Sequence, residues 1–453
     1  MKGNALVTTW AKLIPGFFRT RIEGRDNLQR IIANAGWLFA DKIVRLGIGI
    51  IVTAWVARYL GPLQFGMYNF AIAFVALFAP LATLGLDNIV VRTIVRDPSH
   101  KEETLGTAFM LKAMGGILMP VIAVISISLL RPGDDLARWL VGITAAGIVF
   151  QAFDTIDFWF QSQVQSRYTV LARTGVFLIM SVIKVILILS QAPLIAFAWA
   201  GCAELVLAAL VLMAAYLLNK QSIRSWRPDR TRAYELLRDS WPLIFAGLSI
   251  MIYMKIDQVM LGEMVGVKAV GIYSAATKVS EIWYFIPTVI VSSVFPSIVQ
   301  IRSRDKDAYN RRLQKLFSFM AFLAFCVAAP MTFLSTPVVT LLFGTGFASA
   351  GPVLAIHIWA SLFVFLGVAQ GAWDLTENLT KLALVRTIGG ALVNLALNFV
   401  LIPTYVATGA AIATVISYAF SAYFMNAFHP KTRPVFVWQT KALLWMNPFW
   451  SAV

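Results

Sequence analysis

The chain contains long blocks of apolar residues, and these blocks constrain its fold more than any other feature. A helix needs about 20 apolar residues to cross the hydrocarbon core of a bilayer, and such blocks recur throughout the 453 residues. Only 13% of the residues are charged, whereas a soluble domain has about 25%. In lipid the backbone must satisfy its own hydrogen bonds, so these blocks are predicted to be helices. A β-barrel would show short segments of alternating polarity instead.

The sequence therefore predicts an all-α, polytopic membrane protein with about twelve transmembrane helices. A long basic loop, 219–240, divides the chain into two pseudo-symmetric six-helix bundles, 33–218 and 241–428. The flanking segments 1–32 and 429–453 are predicted to lie at the cytoplasmic membrane surface. The expected spans are 33–57, 68–91, 107–129, 138–160, 169–190, 194–218, 241–262, 269–298, 314–334, 350–373, 383–402 and 409–428.

Lysine and arginine are distributed unevenly between the two sides of this predicted topology. One side carries 28 of them and the other carries 4, so the positive-inside rule places both termini in the cytoplasm. The formal net charge of +16 is then a topology signal plus an attraction to anionic lipid, and no nucleic-acid partner is expected. The two cysteines and three histidines form no disulfide framework and no metal-ligand spacing.

An internal repeat supports the division into halves. Gly61, Gly66, Tyr68 and Ala71 recur as Gly266, Gly271, Tyr273 and Ala276, at a constant offset of 205. Both copies lie between the first and second spans of their half. Six spans per half in the same orientation indicate parallel repeats, an architecture of transporters whose substrate path lies between the halves.

Six segments of the chain carry a resemblance to a known family. They are ANAGW at 33–37, VARYLGPLQFGMY at 56–68, LGLDN at 84–88, FGTGFASAGPVL at 343–354, GGALVNLALNFVLIPTY at 389–405 and GAAIAT at 409–414. Together they resemble the polysaccharide flippases of the multidrug/oligosaccharidyl-lipid/polysaccharide exporter superfamily. The resemblance covers about residues 30–428, and one departure is Val406, where many members have glycine.

The resemblance implies a flippase in the inner (plasma) membrane. Such a protein moves an undecaprenyl-diphosphate-linked oligosaccharide from the cytoplasmic to the outer leaflet, by alternating access of its two bundles. The implied partners are this lipid-linked oligosaccharide, membrane lipids and the polysaccharide polymerase machinery. No cofactor and no catalysed covalent reaction are expected, and coupling to protons or to sodium ions stays open.

Ionisable residues inside spans are the candidate functional residues, because each costs about 2.5–3.5 kcal/mol on insertion scales. A diphosphate group needs cations in a partly dehydrated cavity, and the candidates for this role are Arg45, Lys255 and Lys278. The candidate carboxylates for ion coupling or for pairing are Asp41, Asp154, Asp157, Asp257 and Glu281. Asp41 and Arg45 are four residues apart, and Lys278 and Glu281 three, so each pair shares a helix face and can form internally.

Two other functions compete with the flippase hypothesis. A cation-coupled drug or metabolite exporter of the same superfamily would need an acidic cavity, and the mixed charges inside the spans do not exclude it. A membrane-embedded glycan ligase or polymerase would need a catalytic constellation, whereas the predicted outer loops are short and contain no histidine. A nucleotide-binding loop is not predicted either, since Gly66 is followed by Met67 where a P-loop has lysine.

Overall fold

The computed structural model describes residues 26–302 and 304–444. Within these residues all regular structure is helical and no strand is present, which confirms the all-α prediction. The predicted surface segments fall partly outside this range, because residues 1–25 and 445–453 lie outside the described residues.

The described chain contains seventeen α-helices, several of them joined by short 3₁₀ or π segments. They are α1 (Asp26–Ala76), α2 (Ala79–Thr83), α3 (Asp87–Arg96), α4 (Lys101–Leu130), α5 (Asp135–Ala146), α6 (Asp154–Ser162), α7 (Arg167–Leu189), α8 (Leu194–Leu218), α9 (Arg230–Met264), α10 (Val267–Glu281), α11 (Phe285–Arg302), α12 (Lys306–Phe343), α13 (Ala350–His357), α14 (Ala360–Thr376), α15 (Thr380–Ala419), α16 (Met425–Phe428) and α17 (Arg433–Leu444).

Ten continuous helical segments of the described chain are long and apolar enough to cross a membrane, so the protein is a multi-pass membrane protein. Two of them, Asp41–Ala76 and Thr380–Phe428, each contain one residue with non-helical backbone angles. Counting the arms on either side of these two residues separately gives twelve segments, the predicted number. The second arm of α1 is short, and the chain continues through α2 and α3.

The two breaks have different local causes. Gly61 has φ 67° and ψ 172° and precedes Pro62, so a residue that tolerates positive φ is followed by one that lacks an N–H donor. Val406 has φ 53° and ψ −131°, a conformation that a β-branched residue rarely adopts. The position where the sequence departs from the family's glycine is therefore a strained break within α15.

The chain forms two compact units. The first unit contains Phe78–Ile244 together with the described residues up to Val52. Its main core packs α3, α4, α6 and α8 around fully buried side chains such as Leu105 and Phe160. Trp159 lies edge-on to Tyr216, with ring centroids 5.2 Å apart.

The second unit contains Thr53–Leu77 and the described residues from Phe245 onward. Its core joins α11, α12 and α14, and Phe317 and Phe365 are fully buried there. The C-terminal helix α17 belongs to the same core, because Val435, Gln439 and Ala442 are buried. The described part of the predicted surface tail is therefore a helix packed against the bundle.

The two copies of the internal repeat contact each other inside the second unit. A Cβ atom on Gly66 would lie 1.8 Å from the carbonyl oxygen of Val267, and one on Gly271 would lie 2.0 Å from that of Pro62. Val267 occupies in its copy the position that Pro62 occupies in the other, at the offset of 205. The contact is thus reciprocal, and it requires glycine on both sides because no side chain fits.

Candidate functional site

Charged groups of the first unit form ion pairs centred on α7. The guanidinium of Arg173 lies 2.7 Å from an Asp154 carboxylate oxygen and 3.4 Å from one of Asp157. Asp157 is buried and also accepts a hydrogen bond of 3.0 Å from the Gln161 amide. About three turns further along α7, Lys184 donates to Glu204 at 2.9 Å. The predicted carboxylates Asp154 and Asp157 are therefore compensated within the protein.

Lys112 of α4 is an intramembrane cation that the sequence analysis missed. Its side chain is fully buried, its ammonium lies 3.3 Å from Asp87, and it stands 4.6 Å from the centre of the Phe158 ring. The feature of the sequence that could have identified this cation is a single lysine within the apolar block 107–129. A cation–π contact and a carboxylate together compensate this buried charge.

Asp41 and Arg45 of α1 both contact α7. Asp41 accepts a hydrogen bond from the Thr174 hydroxyl, and the Arg45 guanidinium lies 5.1 Å from the centre of the Phe177 ring. Although the two residues are four apart, they form no ion pair with each other in the described structure. Arg45 keeps a half-buried guanidinium that no carboxylate of the described chain neutralises.

Lys255 of α9 and Lys278 of α10 are cations of the second unit, and Glu281 lies near them. The charges of Lys255 and Glu281 both act on Lys278. Across residues 26–302 and 304–444, neither lysine forms an ion pair with a carboxylate. Lys278 is exposed, although Thr277, Val279 and Ser280 beside it are buried. Its ammonium is thus available to a ligand.

Asp257 of α9 is buried and is bound by neutral donors only. It accepts hydrogen bonds from the Tyr273 hydroxyl at 2.6 Å, the Asn398 amide at 2.5 Å and the Thr414 hydroxyl at 2.5 Å. Asn398 also donates to Asn394 at 3.1 Å. These side chains come from α9, α10 and α15 and converge on one carboxylate.

The oxygen atoms around Asp257 are suited to a small cation. No lysine or arginine of the described chain pairs with Asp257, and the side-chain oxygen of Asn398 is buried without a hydrogen-bond partner. Carboxylate, hydroxyl and amide oxygens are the ligands that hard cations prefer. Asp257 is the one carboxylate of this cluster, and in the part of the chain that the structure describes no group of three or more His, Cys, Asp or Glu residues could hold a metal ion.

Arg386 and Asp374 form a buried ion pair near one end of the second unit. Arg386 also donates to the Asn426 amide oxygen at 3.1 Å. The amides of Asn426, Gln370 and Gln439 contact one another, so this network reaches α17. The partner of Arg386 is twelve residues away on another helix, so the sequence alone does not indicate this pair.

Residues 31–302, more than half of the chain, match a family model described as polysaccharide biosynthesis protein. The chain belongs to this family. The match confirms the resemblance that the sequence segments indicated. It includes all eight predicted site residues of this polysaccharide biosynthesis protein, from Asp41 to Glu281.

The sequence is also similar to that of the probable low-salt glycan biosynthesis flippase Agl15 of Haloferax volcanii. It is 25% identical over 405 residues, which are 86% of this chain and 82% of Agl15.

Two solved structures share the fold of this polysaccharide biosynthesis protein. The lipid II flippase MurJ superposes with a TM-score of 0.68 and 15% identity over 92% of this chain and 94% of MurJ. An inward-facing multidrug resistance transporter of the MATE family and the MOP superfamily gives a TM-score of 0.66 and 16% identity, over 90% of this chain and 96% of the transporter. These likenesses confirm the polytopic all-α transporter fold.

The predicted site residues thus fall into two groups with different surroundings. Asp154 and Asp157 belong to ion pairs, whereas Lys255 and Lys278 have no carboxylate partner in the described chain. Asp257, which lies on the same helix as Lys255, is held by uncharged side chains.

Proposed function

We propose that this protein is a flippase for a lipid-linked oligosaccharide. Its substrate is an oligosaccharide joined through a diphosphate to undecaprenol, which it moves from the cytoplasmic to the outer leaflet of the inner membrane by alternating access. The covalent structure of the substrate does not change. Three findings support this proposal: the family assignment, the similarity over 86% of this chain to a relative named as a flippase, and the fold shared with a lipid II flippase.

One observation carries the proposal, namely the unpaired cations Lys255 and Lys278. A diphosphate diester has about two negative charges, and transfer of each ion into a medium of low dielectric costs several kcal/mol. Two ammonium groups without a carboxylate partner can offset this cost through charge-assisted hydrogen bonds. Lysines in permanent pairs, such as Lys184 with Glu204, would have to break a bond before they could bind a phosphate.

The proposal assigns the diphosphate to Lys255 and Lys278 in the second unit, with Arg45 as the candidate cation of the first unit. Arg45 contacts a ring and no carboxylate of the described chain, and its planar guanidinium suits bidentate phosphate binding. Asp41 and Glu281 then adjust the local charge without neutralising these cations.

Asp257 is the proposed coupling group. A buried carboxylate among neutral donors can bind a proton or a sodium ion, and either one removes the cost of its uncompensated charge. The unpartnered oxygen of Asn398 offers a further ligand to an ion. Asp154 and Asp157 are already compensated by Arg173, so they are assigned to pairing.

Drug or metabolite export is the second candidate function, since the fold is shared with a multidrug resistance transporter. That function requires a negatively charged site for an amphipathic cation. The two unpaired lysines near Glu281 favour an anionic ligand instead.

Reconstitution of the purified protein in liposomes separates these functions. The substrates are one oligosaccharide on a lipid diphosphate, the same oligosaccharide on a neutral lipid, and an amphipathic cation. We expect translocation of the diphosphate-linked form only, with its mass unchanged. Transport of the cation alone would favour the exporter, and an altered glycan would favour an enzyme.

A further inference from the structure

A cavity of about 1170 Å³ opens at one end of the second unit. Its wall is formed by the end of α11, the beginning of α12, the end of α14 and the first turns of α17. Lys255, Asp257 and Lys278 are not among its lining residues in the described chain. The cavity is therefore separate from the proposed transport site.

Four charged side chains line this cavity, and two of them neutralise each other. Arg302 donates two hydrogen bonds to Glu377, at 2.9 Å and 3.0 Å, and Tyr309 donates a third at 2.9 Å. Lys306 and Lys431 are exposed and form no ion pair within the described residues. The cavity thus offers two uncompensated positive charges to a ligand.

The remaining wall is largely apolar and aromatic. Trp373 and Trp438 pack edge to face with ring centroids 6.4 Å apart. Phe295 and Val299 of α11 and the exposed side chain of Leu375 extend this surface. A ligand that fits such a wall has an anionic end and an apolar end, and tryptophan favours the region between lipid head groups and acyl chains.

The cavity lies at the end of the bundle where an anionic lipid head group is expected. It lies where the chain turns between α11 and α12, after α14 and before α17, at the end that carries the predicted cytoplasmic excess of basic residues. Anionic lipids give the cytoplasmic leaflet a negative surface potential, and basic pockets between transmembrane helices on that side bind their head groups.

We propose that this cavity binds the head group of an anionic phospholipid from the cytoplasmic leaflet. Lys306 and Lys431 hold the phosphate, and the glycerol and the first acyl carbons lie against Trp373, Trp438 and Leu375. Lys306 is in the first turn of α12, whereas Lys431 precedes α17. The lipid therefore bridges the bundle and the C-terminal helix, and it helps to keep α17 in place beside the Gln370, Asn426 and Gln439 amides.

The test uses the full chain, purified in a neutral detergent. Phosphatidylglycerol or phosphatidylcholine with identical acyl chains is added, and native mass spectrometry measures lipid retention while a thermal assay measures the apparent unfolding temperature. We expect phosphatidylglycerol to bind about tenfold more tightly than phosphatidylcholine and to raise the unfolding temperature. Equal binding of the two lipids would overturn the proposal.

Two matched double variants locate the effect. Lys306→Gln with Lys431→Gln should abolish the preference for phosphatidylglycerol. Lys381→Gln with Lys441→Gln removes the same charge from two exposed lysines that do not line the cavity in the described structure, and should retain the preference. An equal loss in both double variants would show diffuse surface attraction and contradict the site.

Two further measurements test the source of the phosphate and the role of Glu377. Glycerol 3-phosphate at the concentration of the lipid should not displace phosphatidylglycerol, and effective displacement would identify a site for soluble phosphate esters. Glu377→Gln releases Arg302 from its pair and should tighten phosphatidylglycerol binding by about threefold. Weaker binding of phosphatidylglycerol by that variant would contradict the assignment of Glu377 as the carboxylate that neutralises Arg302.

Discussion

The cations within the membrane spans have different surroundings in the two units of the protein. In the first unit, Lys112, Arg173 and Lys184 each lie against a carboxylate. In the second unit, Lys255 and Lys278 have no such partner in the described chain. An ion pair between side chains stabilises the packing of its helices, whereas a cation without a carboxylate can bind a mobile anion reversibly. The comparison therefore separates structural charges from exchangeable ones.

Whether a cation is structural or exchangeable depends on the side chains around it, and the distinction does not coincide strictly with the boundary between the two units. The second unit also contains the buried pair of Arg386 and Asp374, and the first contains Arg45, which contacts the Phe177 ring. The comparison concerns cations within the membrane spans: those without a carboxylate are assigned to substrate binding, and those with one are assigned to stability. Three variants of cations and one of the Asp257 carboxylate, each with a control or a contradicting outcome, test these assignments.

The largest effect is expected for Lys278→Ala combined with Glu281→Ala. Lys278 is exposed and its charge interacts with that of Glu281, so removing both leaves the net charge unchanged and the fold should persist. The diphosphate, however, loses a cation. We expect translocation in liposomes to fall about 100-fold, the equivalent of about 2.7 kcal/mol of lost stabilisation, with normal protein levels.

Its matched control is Lys184→Ala combined with Glu204→Ala, which removes a permanent pair. Translocation there should stay within about threefold of the native rate, because replacing both members of a pair is often near neutral. Near-normal surface glycan in the Lys278 and Glu281 double variant, and in Arg45→Ala with Asp41→Ala, would refute the assignment of these cations to substrate.

The next effect is on stability, for Arg173→Met. This change leaves Asp154 and Asp157 without their cation. Loss of one partner of a buried pair costs about 3–5 kcal/mol, and the side chains of Arg173 and Asp154 are about a third exposed, so we expect about 2 kcal/mol. Denaturant titration of the purified protein measures it. Adding Asp154→Asn and Asp157→Asn should restore most of the loss, and no restoration would disprove the pairing.

A smaller effect is expected for Asp257→Asn. Asparagine keeps the size of the side chain but cannot bind a proton or a sodium ion as a carboxylate does. Translocation driven by an ion gradient should fall about tenfold, about 1.4 kcal/mol, while substrate binding in detergent stays unchanged. Imposed sodium and proton gradients identify the ion, and a variant that still responds to both gradients would exclude Asp257 from coupling.

The smallest effect is expected for Lys112→Met. The Lys112 side chain is 1% exposed and that of Asp87 is 58% exposed, so removing the lysine leaves a carboxylate that solvent can reach. The free energy of unfolding should change by less than about 1 kcal/mol. Asp87→Asn should cost more, since it leaves a buried lysine with the Phe158 ring and the more distant charge of Asp154. The reverse order of the two costs would contradict this account.

The sequence predicts the helical architecture because a bilayer demands long apolar blocks, and these are visible without any tertiary information. It also predicts which cations are worth testing, since Lys255 and Lys278 interrupt such blocks. It does not predict which charges pair, because pairing depends on neighbours distant in sequence. The rule for residues three or four apart suggested Asp41 with Arg45, whereas the structure turns both toward α7.

Other features were beyond the reach of sequence reasoning for similar reasons. Lys112 was overlooked because one lysine scarcely alters the apolarity of its block, and only its position against Asp87 and Phe158 reveals its burial. The donors around Asp257 lie on α10 and α15, more than 100 residues away for Asn398 and Thr414. No sequence pattern indicates that Asn398 and Thr414 share the Asp257 carboxylate as their partner.

The reciprocal contact of Gly66 and Gly271 bears on the origin of the protein. In a homodimer with two-fold symmetry, residue i of one subunit meets residue j of the other, and j meets i. Gly66 with Val267 and Gly271 with Pro62 reproduce this pattern within one polypeptide, at a fixed offset of 205. The contact therefore has the pattern that two half-length subunits related by a two-fold axis would form, which is the pattern expected of a duplicated and fused chain. Since each copy has its own sequence, the two halves can diverge elsewhere for binding, provided that both keep the glycine that this contact requires.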